Sequence, residues 1–401
     1  MKVALLSRSA YPLHAPGGME RAVFELARHL TERQVETTLI TRPATRQGSF
    51  PGRVLTVPYG PEASHGRVLD RSFRYPRFAQ RVGERAAGLV RQGEAQIVDA
   101  QGLAALGYLR LRRRDPALKA PLVMNPQGME EHKTRGLKRL ALWRLRMLSR
   151  EAARLADRVV ATDQASRDEV HRLLGVDPAK VVVVPNGIAA DAIEAATPAE
   201  ARLVTVRALP ALADAEPVLL SVGRLEGYKG FGDSLRALDT LSRRRALPDR
   251  WAWVVVGAGP AAAGLRARLQ PNLAGHVHLV GRVSESVLHA LYSRADLFLH
   301  ATRYEGSSLV TLEAMAHRLP VVATRVGGIP DKVVDGETGA LVEPGDVAGL
   351  ARAVEALLTA PERRRAWGER GRERCLRLFS WSRIIDRVLA LYGELLEEAR
   401  G

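Results

Sequence analysis

The sequence predicts an α/β protein assembled from strand–crossover–strand units. Three observations carry that expectation. Short apolar runs without alternation recur, at residues 2–7, 95–100, 121–125, 218–222, 251–256 and 320–324, and such runs suit parallel strands covered on both faces. Several of them end in glycine turns, as at Gly223, Gly257 and Gly327-Gly328. Helical stripes fill the intervals, the first through Ala22, Val23, Leu26, Ala27 and Leu30, where apolar residues recur with the period of one helix face.

Length and charge narrow the classes. The chain has 401 residues, enough for two or three domains with sizeable cores. Its 46% apolar and 26% charged residues are ordinary for a globular protein. The formal charge of +16 is uneven, because residues 101–150 hold 12 basic and 3 acidic residues. That points to an anionic surface or ligand near the block, or to arginine-rich codon usage, since arginine supplies 53 of the 60 cations. One cysteine, Cys375, excludes an internal disulfide framework and a thiolate metal cage. Residues 1–6 are too short for a signal-peptide core, and no run approaches the roughly 18–20 apolar residues of a membrane span. The expected localisation is cytoplasmic, with a place at the inner face of the membrane left open.

In chain order, residues 2–7 form the first strand, and a Pro/Gly-rich loop from Tyr11 to Gly18 leads into a helix at 19–33. Gly17 and Gly18 let backbone approach a ligand closely, or form a simple turn. Further strands fall at 35–41, 95–100 (followed by Gln101), 121–125, 159–162 and 181–184. Ligands in such folds sit beyond the carboxyl ends of strands. The run from Lys133 to Arg158 combines Leu137, Leu140, Trp143, Met147 and Leu148 with Lys138, Arg139, Arg144, Arg146, Arg150 and Arg154. Such a helix suits an anionic membrane surface, or a core whose bordering arginines snorkel. The turn Pro185-Asn186-Gly187 closes a first domain of 1–190, and residues 191–216, rich in Ala, Pro and acid, form a linker.

The second domain is expected at 217–379. Its first strand runs into Gly223-Arg224-Leu225-Glu226-Gly227-Tyr228-Lys229-Gly230. There an arginine fork and a lysine point charge between glycines suit a diphosphate. Gly257-Ala258-Gly259 is a weak dinucleotide fingerprint, because no acid follows about twenty residues on to meet a ribose. The densest signal is YEGSSLVTLEAMAHRLPVVAT, from Tyr304 to Thr324. A strand at 295–301 precedes it, so Glu305 falls in a loop, Gly306, Ser307 and Ser308 at a helix start, and Glu313 inside the helix. N–H groups at a helix start bind phosphate, and carboxylates accept from vicinal sugar hydroxyls. A capped surface helix with solvated glutamates is the plainer alternative. Helices at 347–358 and 381–398 follow.

Jointly these motifs resemble those of glycosyltransferase family 4, over nearly the whole chain. The E-x7-E signature is met by Glu305 and Glu313, and the VGRL-x3-KG element by the run from Val222 to Gly230. Gly17-Gly18 match the first-loop double glycine, and Pro185-Asn186-Gly187 the PNG turn. The resemblance implies GT-B architecture: two Rossmann-like, doubly wound domains facing each other across a cleft, with the helix at about 380–401 packing back on the first. It implies a retaining, metal-independent hexosyltransferase without a cofactor. Such an enzyme moves a sugar from a UDP- or GDP-linked donor to a hydroxyl acceptor, such as a glycan or lipid-linked sugar. Carried over, Arg224 and Lys229 meet the diphosphate, Glu305 the donor sugar, the N–H groups of Ser307, Ser308 and Leu309 the phosphates, and Glu313 the ribose. Gly17, Gly18, Gly257, Arg282, Val283 and Gly306 complete the donor site.

Two positions depart from the family pattern. Gln101 and Gln127 stand where many members carry histidine, and glutamine cannot shuttle a proton near neutral pH. His132 and His14 are the acceptor-side candidates for that role. A GT-B nucleotide-sugar epimerase would share the diphosphate site. A nucleic-acid-binding protein would use the charge alone, but the basic run lacks interleaved aromatics apart from Trp143, which argues against nucleic acid as a partner.

Overall fold

The computed structural model describes the chain except at residues 15–16, 61–67, 127–128, 130–131, 133–135, 190–192, 194–197 and 401. The chain divides into two compact units, 1–187 with 381–401, and 188–380.

The first unit holds seven strands: β1 (Lys2–Leu6), β2 (Glu36–Thr41), β3 (Arg53–Thr56), β4 (Ile97–Gln101), β5 (Leu122–Asn125), β6 (Arg158–Ala161) and β7 (Val181–Val183). They form one parallel sheet in the order β3-β2-β1-β4-β5-β6-β7. The order reverses between β1 and β4, the kind of switch point at which α/β sheets bind ligands. β1 and β4 are buried along nearly their whole length, which is why their sequences show no alternation. Two elements of this unit lack a sequence signal. β3 is a half-exposed edge strand of four residues, and helix Val68–Arg91 carries Pro76 inside it. Helix Trp381–Glu398 belongs to this unit, burying Ile384, Ile385, Val388, Leu391 and Leu395.

The second unit holds β8 (Val218–Val222), β9 (Ala252–Val256), β10 (Val277–Gly281), β11 (Leu297–His300), β12 (Val321–Thr324) and β13 (Gly339–Val342). All pairs are parallel, in the order β10-β9-β8-β11-β12-β13, so the switch point lies between β8 and β11. Side chains of a strand point to alternate faces. Val218, Leu220 and Val222 accordingly join one core cluster, and Leu219 joins the other.

Residues 191–216 need correcting as a linker. They contain helix Pro198–Ala208, which packs on helix Glu285–Arg294 and buries Thr205 completely. Thr205 is buried while Leu203 and Val204 are 71% and 37% exposed, so the helix lacks the strong apolar stripe that would have announced it. Among the described residues, no helix is long and apolar enough to cross a membrane.

Candidate active site

The turns after β8, β11 and β12 are stitched together by backbone. The Arg303 N–H donates to Tyr228 O at 2.7 Å, and the Thr302 hydroxyl to the same oxygen at 3.3 Å. Gly230 sits at φ +70°, and a Cβ there would lie 1.7 Å from Ala301 O. Gly327, at φ +51°, would place a Cβ 2.0 Å from Glu305 O. Only glycine fits either place, since it tolerates positive φ and leaves room for the neighbouring carbonyl.

Inside this ring lies Glu305, with a side chain only 12% exposed. Lys229 Nζ donates to its Oε2 at 2.6 Å, and His300 Nε2 lies 2.9 Å from the same oxygen. Among the described residues, Oε1 has no partner. Burial alone would raise the carboxyl. The hydrogen bond and charge of His300, and then those of Lys229, outweigh it and hold Glu305 at about 2. His300 ends β11 and is buried. It was not among the expected site residues. Its signal was a polar side chain closing an apolar strand, five residues before Glu305.

Helix Leu309–Ala316 starts at Ser308, a left-handed N-cap with φ 41°. The Ser308 hydroxyl lies 2.7 Å from Thr311 Oγ1 and 3.4 Å from His300 Nε2, which ties the helix start to the Glu305 cluster. Among the described residues Ser307 Oγ is buried without a hydrogen-bond partner, and Gly306 is exposed, with nothing within 4 Å of where a Cβ would stand. A helix N-terminus with an uncommitted hydroxyl is suited to an anion. Glu313, further along the helix, accepts from Tyr292 Oη at 2.8 Å. Arg224 is exposed on the Lys229 loop, where its guanidinium donates to Tyr228 Oη at 2.9 Å. Gly257 donates to Gly281 O at 2.7 Å, which packs the turns after β9 and β10 together. Arg282 is exposed beyond that turn, and Val283 is half-buried against the core.

The first-unit candidates belong to different elements. Gln101 ends β4, buried, and donates to Asp99 Oδ1 at 3.0 Å. Gly17 is the extended N-cap of helix Gly18–Glu32, so Gly18 is that helix's first residue. His132 is half-buried, and its N–H donates to Met129 O at 2.9 Å. His14, the other acceptor-side candidate, is held inside the first unit. It is 1% exposed, Ala10 N–H donates to its Nδ1 at 3.1 Å, and Nε2 lies 3.2 Å from Pro43 O. Burial lowers its pKa, and its ring nitrogens meet backbone of its own loop at Ala10 and of the segment after β2 at Pro43. Gln127 lies outside the described residues. Among the described residues, no group of three or more His, Cys, Asp or Glu could hold a metal ion.

Two parallel sheets, each reversing its strand order once, are the fold of the GT-B glycosyltransferases. Solved structures agree. Sucrose-phosphate synthase from Thermosynechococcus elongatus superposes with a TM-score of 0.77 at 24% identity, over 99% of both chains. Anabaena HepE in complex with UDP-glucose does so with a TM-score of 0.70 at 18% identity, over 98% of this chain and 100% of the other. The family model for Glycosyltransferase Family 4 matches residues 16–192, and the model for Glycosyl transferases group 1 matches 206–374. D-inositol 3-phosphate glycosyltransferase 2 of Catenulispora acidiphila is 30% identical over 100% of this chain and 96% of its own length. The chain belongs to glycosyltransferase family 4 and is a glycosyltransferase.

Proposed function

We propose that this glycosyltransferase is a retaining, metal-independent hexosyltransferase that draws on a UDP- or GDP-linked sugar and serves a glycan or lipid-linked hydroxyl acceptor. Glu305 carries the reading: an ionised carboxylate gripped at one oxygen by Lys229 and His300, beside a helix start, with its other oxygen uncommitted among the described residues. That oxygen is available to hydroxyls of the donor sugar. The N–H groups of Ser307, Ser308 and Leu309 take the phosphates, Glu313 the ribose, and the turns at Gly257, Arg282 and Val283 the base. Gln101, Gln127, His132 and His14 are left for the acceptor, and no cofactor is needed.

In this mechanism the bond from sugar C1 to the diphosphate oxygen breaks, and its electron pair leaves on the diphosphate. Arg224 and Lys229 stabilise that charge more in the transition state than in the ground state. The acceptor oxygen bonds C1 on the face just vacated, and its proton passes to a phosphate oxygen. No protein nucleophile enters. Calorimetry against UDP, GDP and ADP and their sugar conjugates tests donor binding. Product analysis with glycan, lipid-linked and D-inositol 3-phosphate acceptors tests transfer; the last is included because the Catenulispora relative is named for it. An inverted product, or no binding of any sugar nucleotide, would sink the proposal.

The acceptor side suits an anionic membrane. Leu140, Trp143 and Met147 are 76%, 58% and 47% exposed along helices Gly136–Ala141 and Trp143–Leu155. Arg144 lies over the ring of the equally exposed Phe73, at 5.1 Å. Apolar side chains bordered by arginines can enter the headgroup region of a bilayer, which would put the enzyme in the cytoplasm at the inner membrane face. Replacing Leu140 and Trp143 by glutamate is expected to abolish co-sedimentation with phosphatidylglycerol vesicles while donor binding is unchanged.

A further inference from the structure

We propose that Tyr292 is a positioning residue for Glu313, and that their hydrogen bond is what lets the second unit distinguish a ribonucleotide from its dideoxy analogue. The inference rests on the reading of Glu313 as the ribose-binding carboxylate.

Tyr292 is fully buried on helix Glu285–Arg294. Its Oη lies 2.8 Å from Glu313 Oε2 and 3.4 Å from Val310 O. A phenol has one proton to give, and the shorter, charge-assisted bond to the carboxylate takes it. Burial, and then the charge and hydrogen bond of Glu313, push the phenol well above its ordinary value, so Tyr292 remains a donor.

The ring is clamped as well. It stacks on His317 at 5.3 Å and 10°, and tilts against Phe298 at 5.8 Å. His317 is itself pinned, with Nδ1 2.9 Å from Ser293 Oγ and Nε2 3.0 Å from His289 Nδ1. Burial, and then the charge of His289, hold its imidazole at about 3. His317 is therefore neutral at working pH and does not draw the carboxylate away. The chain of contacts runs from a rigid aromatic stack to one oxygen of Glu313.

A glutamate carboxylate turns broadly about its last torsion. Fixing one oxygen sets where the other can accept, and a vicinal diol needs that aim. Without the phenol oxygen, Glu313 loses the donor that fixes its Oε2.

Calorimetry on the full chain provides the test, with UDP, GDP and ADP each set against its 2′,3′-dideoxy form. The proteins are wild type, Tyr292→Phe, Glu313→Gln and the double variant. Wild type is expected to prefer the ribose form of the nucleotide it binds. Tyr292→Phe should cut that preference about tenfold, with binding of the dideoxy form changed less than about twofold. The double variant should discriminate no worse than Glu313→Gln, because the phenol acts through the carboxylate. Wild-type preference in Tyr292→Phe, with or without a lower melting temperature, assigns the tyrosine to helix packing and overturns the inference while the proposed function stands. A wild type that binds nucleotide without preferring ribose overturns Glu313's role and the inference together. Failure to bind any nucleotide sinks the wider reading.

Discussion

At Glu305 one carboxylate oxygen meets two donors, Lys229 at 2.6 Å and His300 at 2.9 Å. Removing the lysine takes away a hydrogen bond to Glu305 and, under the proposed function, a cation for the departing diphosphate. Lys229→Ala is therefore expected to lower kcat on the order of 100-fold, the scale seen when one transition-state donor is lost, as read from steady-state kinetics with saturating donor. The same cluster has a pH signature. Glu305 is held at about 2 against an ordinary 4.5, so its folded pKa is depressed. Its contribution to stability is present above 4.5 and is lost as pH falls through about 2. Glu305→Gln should be less stable than wild type at pH 6 and converge on it near pH 2 in acid denaturation curves. Lys229 and Glu305 were legible as residues, because their spacing to glycines and to a helix start is a chemical pattern. Their mutual contact was not, since it joins positions 76 residues apart, and His300 between them belongs to a strand that reads as plain core.

Elements explain why those residues meet. The turns after β8 and β11 touch through Gly230, whose absent side chain admits Ala301 O. An alanine there meets both a positive φ and a carbonyl at 1.7 Å. Gly230→Ala is expected to cost at least about 2 kcal/mol in chemical denaturation and to separate Lys229 from Glu305. Gly306→Ala, where a Cβ meets nothing within 4 Å, is the control and should leave stability nearly unchanged. The central strands of both sheets were readable because burial on two faces leaves a continuous apolar run. Helix Pro361–Phe379 was not, for a physical reason. Its buried side is Gly368, Gly371, Cys375 and Phe379 on an otherwise charged helix, so the packing stripe has almost no hydrophobicity to display. Pro198–Ala208 also escaped, because it buries Thr205 while Leu203 and Val204 face outward.

For the whole molecule, the two units are traversed twice by the chain, at 187–188 and again at 380–381. The returning helix is fastened to the rest of the first unit at several points. Trp381 stacks on His29 at 5.8 Å, Asp386 pairs with Arg33 at 2.6 Å, and Tyr392 Oη donates to Asp99 Oδ2 at 2.7 Å. The last contact is the unusual one, because Asp99 is buried in β4 and, among the described residues, accepts hydrogen bonds only from Tyr392 and Gln101. Burial pushes its carboxyl up to about 6, outweighing the hydrogen bonds from Tyr392 and Gln101. A folded pKa above the ordinary 3.8 means that the neutral acid is the form the fold prefers. Its stabilisation is full below 3.8 and is lost as pH rises through about 6, a loss on the order of 3 kcal/mol for a shift of that size. Asp99→Asn keeps an acceptor for Tyr392, and Gln101 can turn its amide to suit the new side chain. Between pH 4 and 8 the wild type should therefore lose protection from hydrogen exchange along Trp381–Glu398, while Asp99→Asn should not. Equal pH slopes in the two proteins would show that the returning helix is held by its apolar face alone, with the buried acid a bystander.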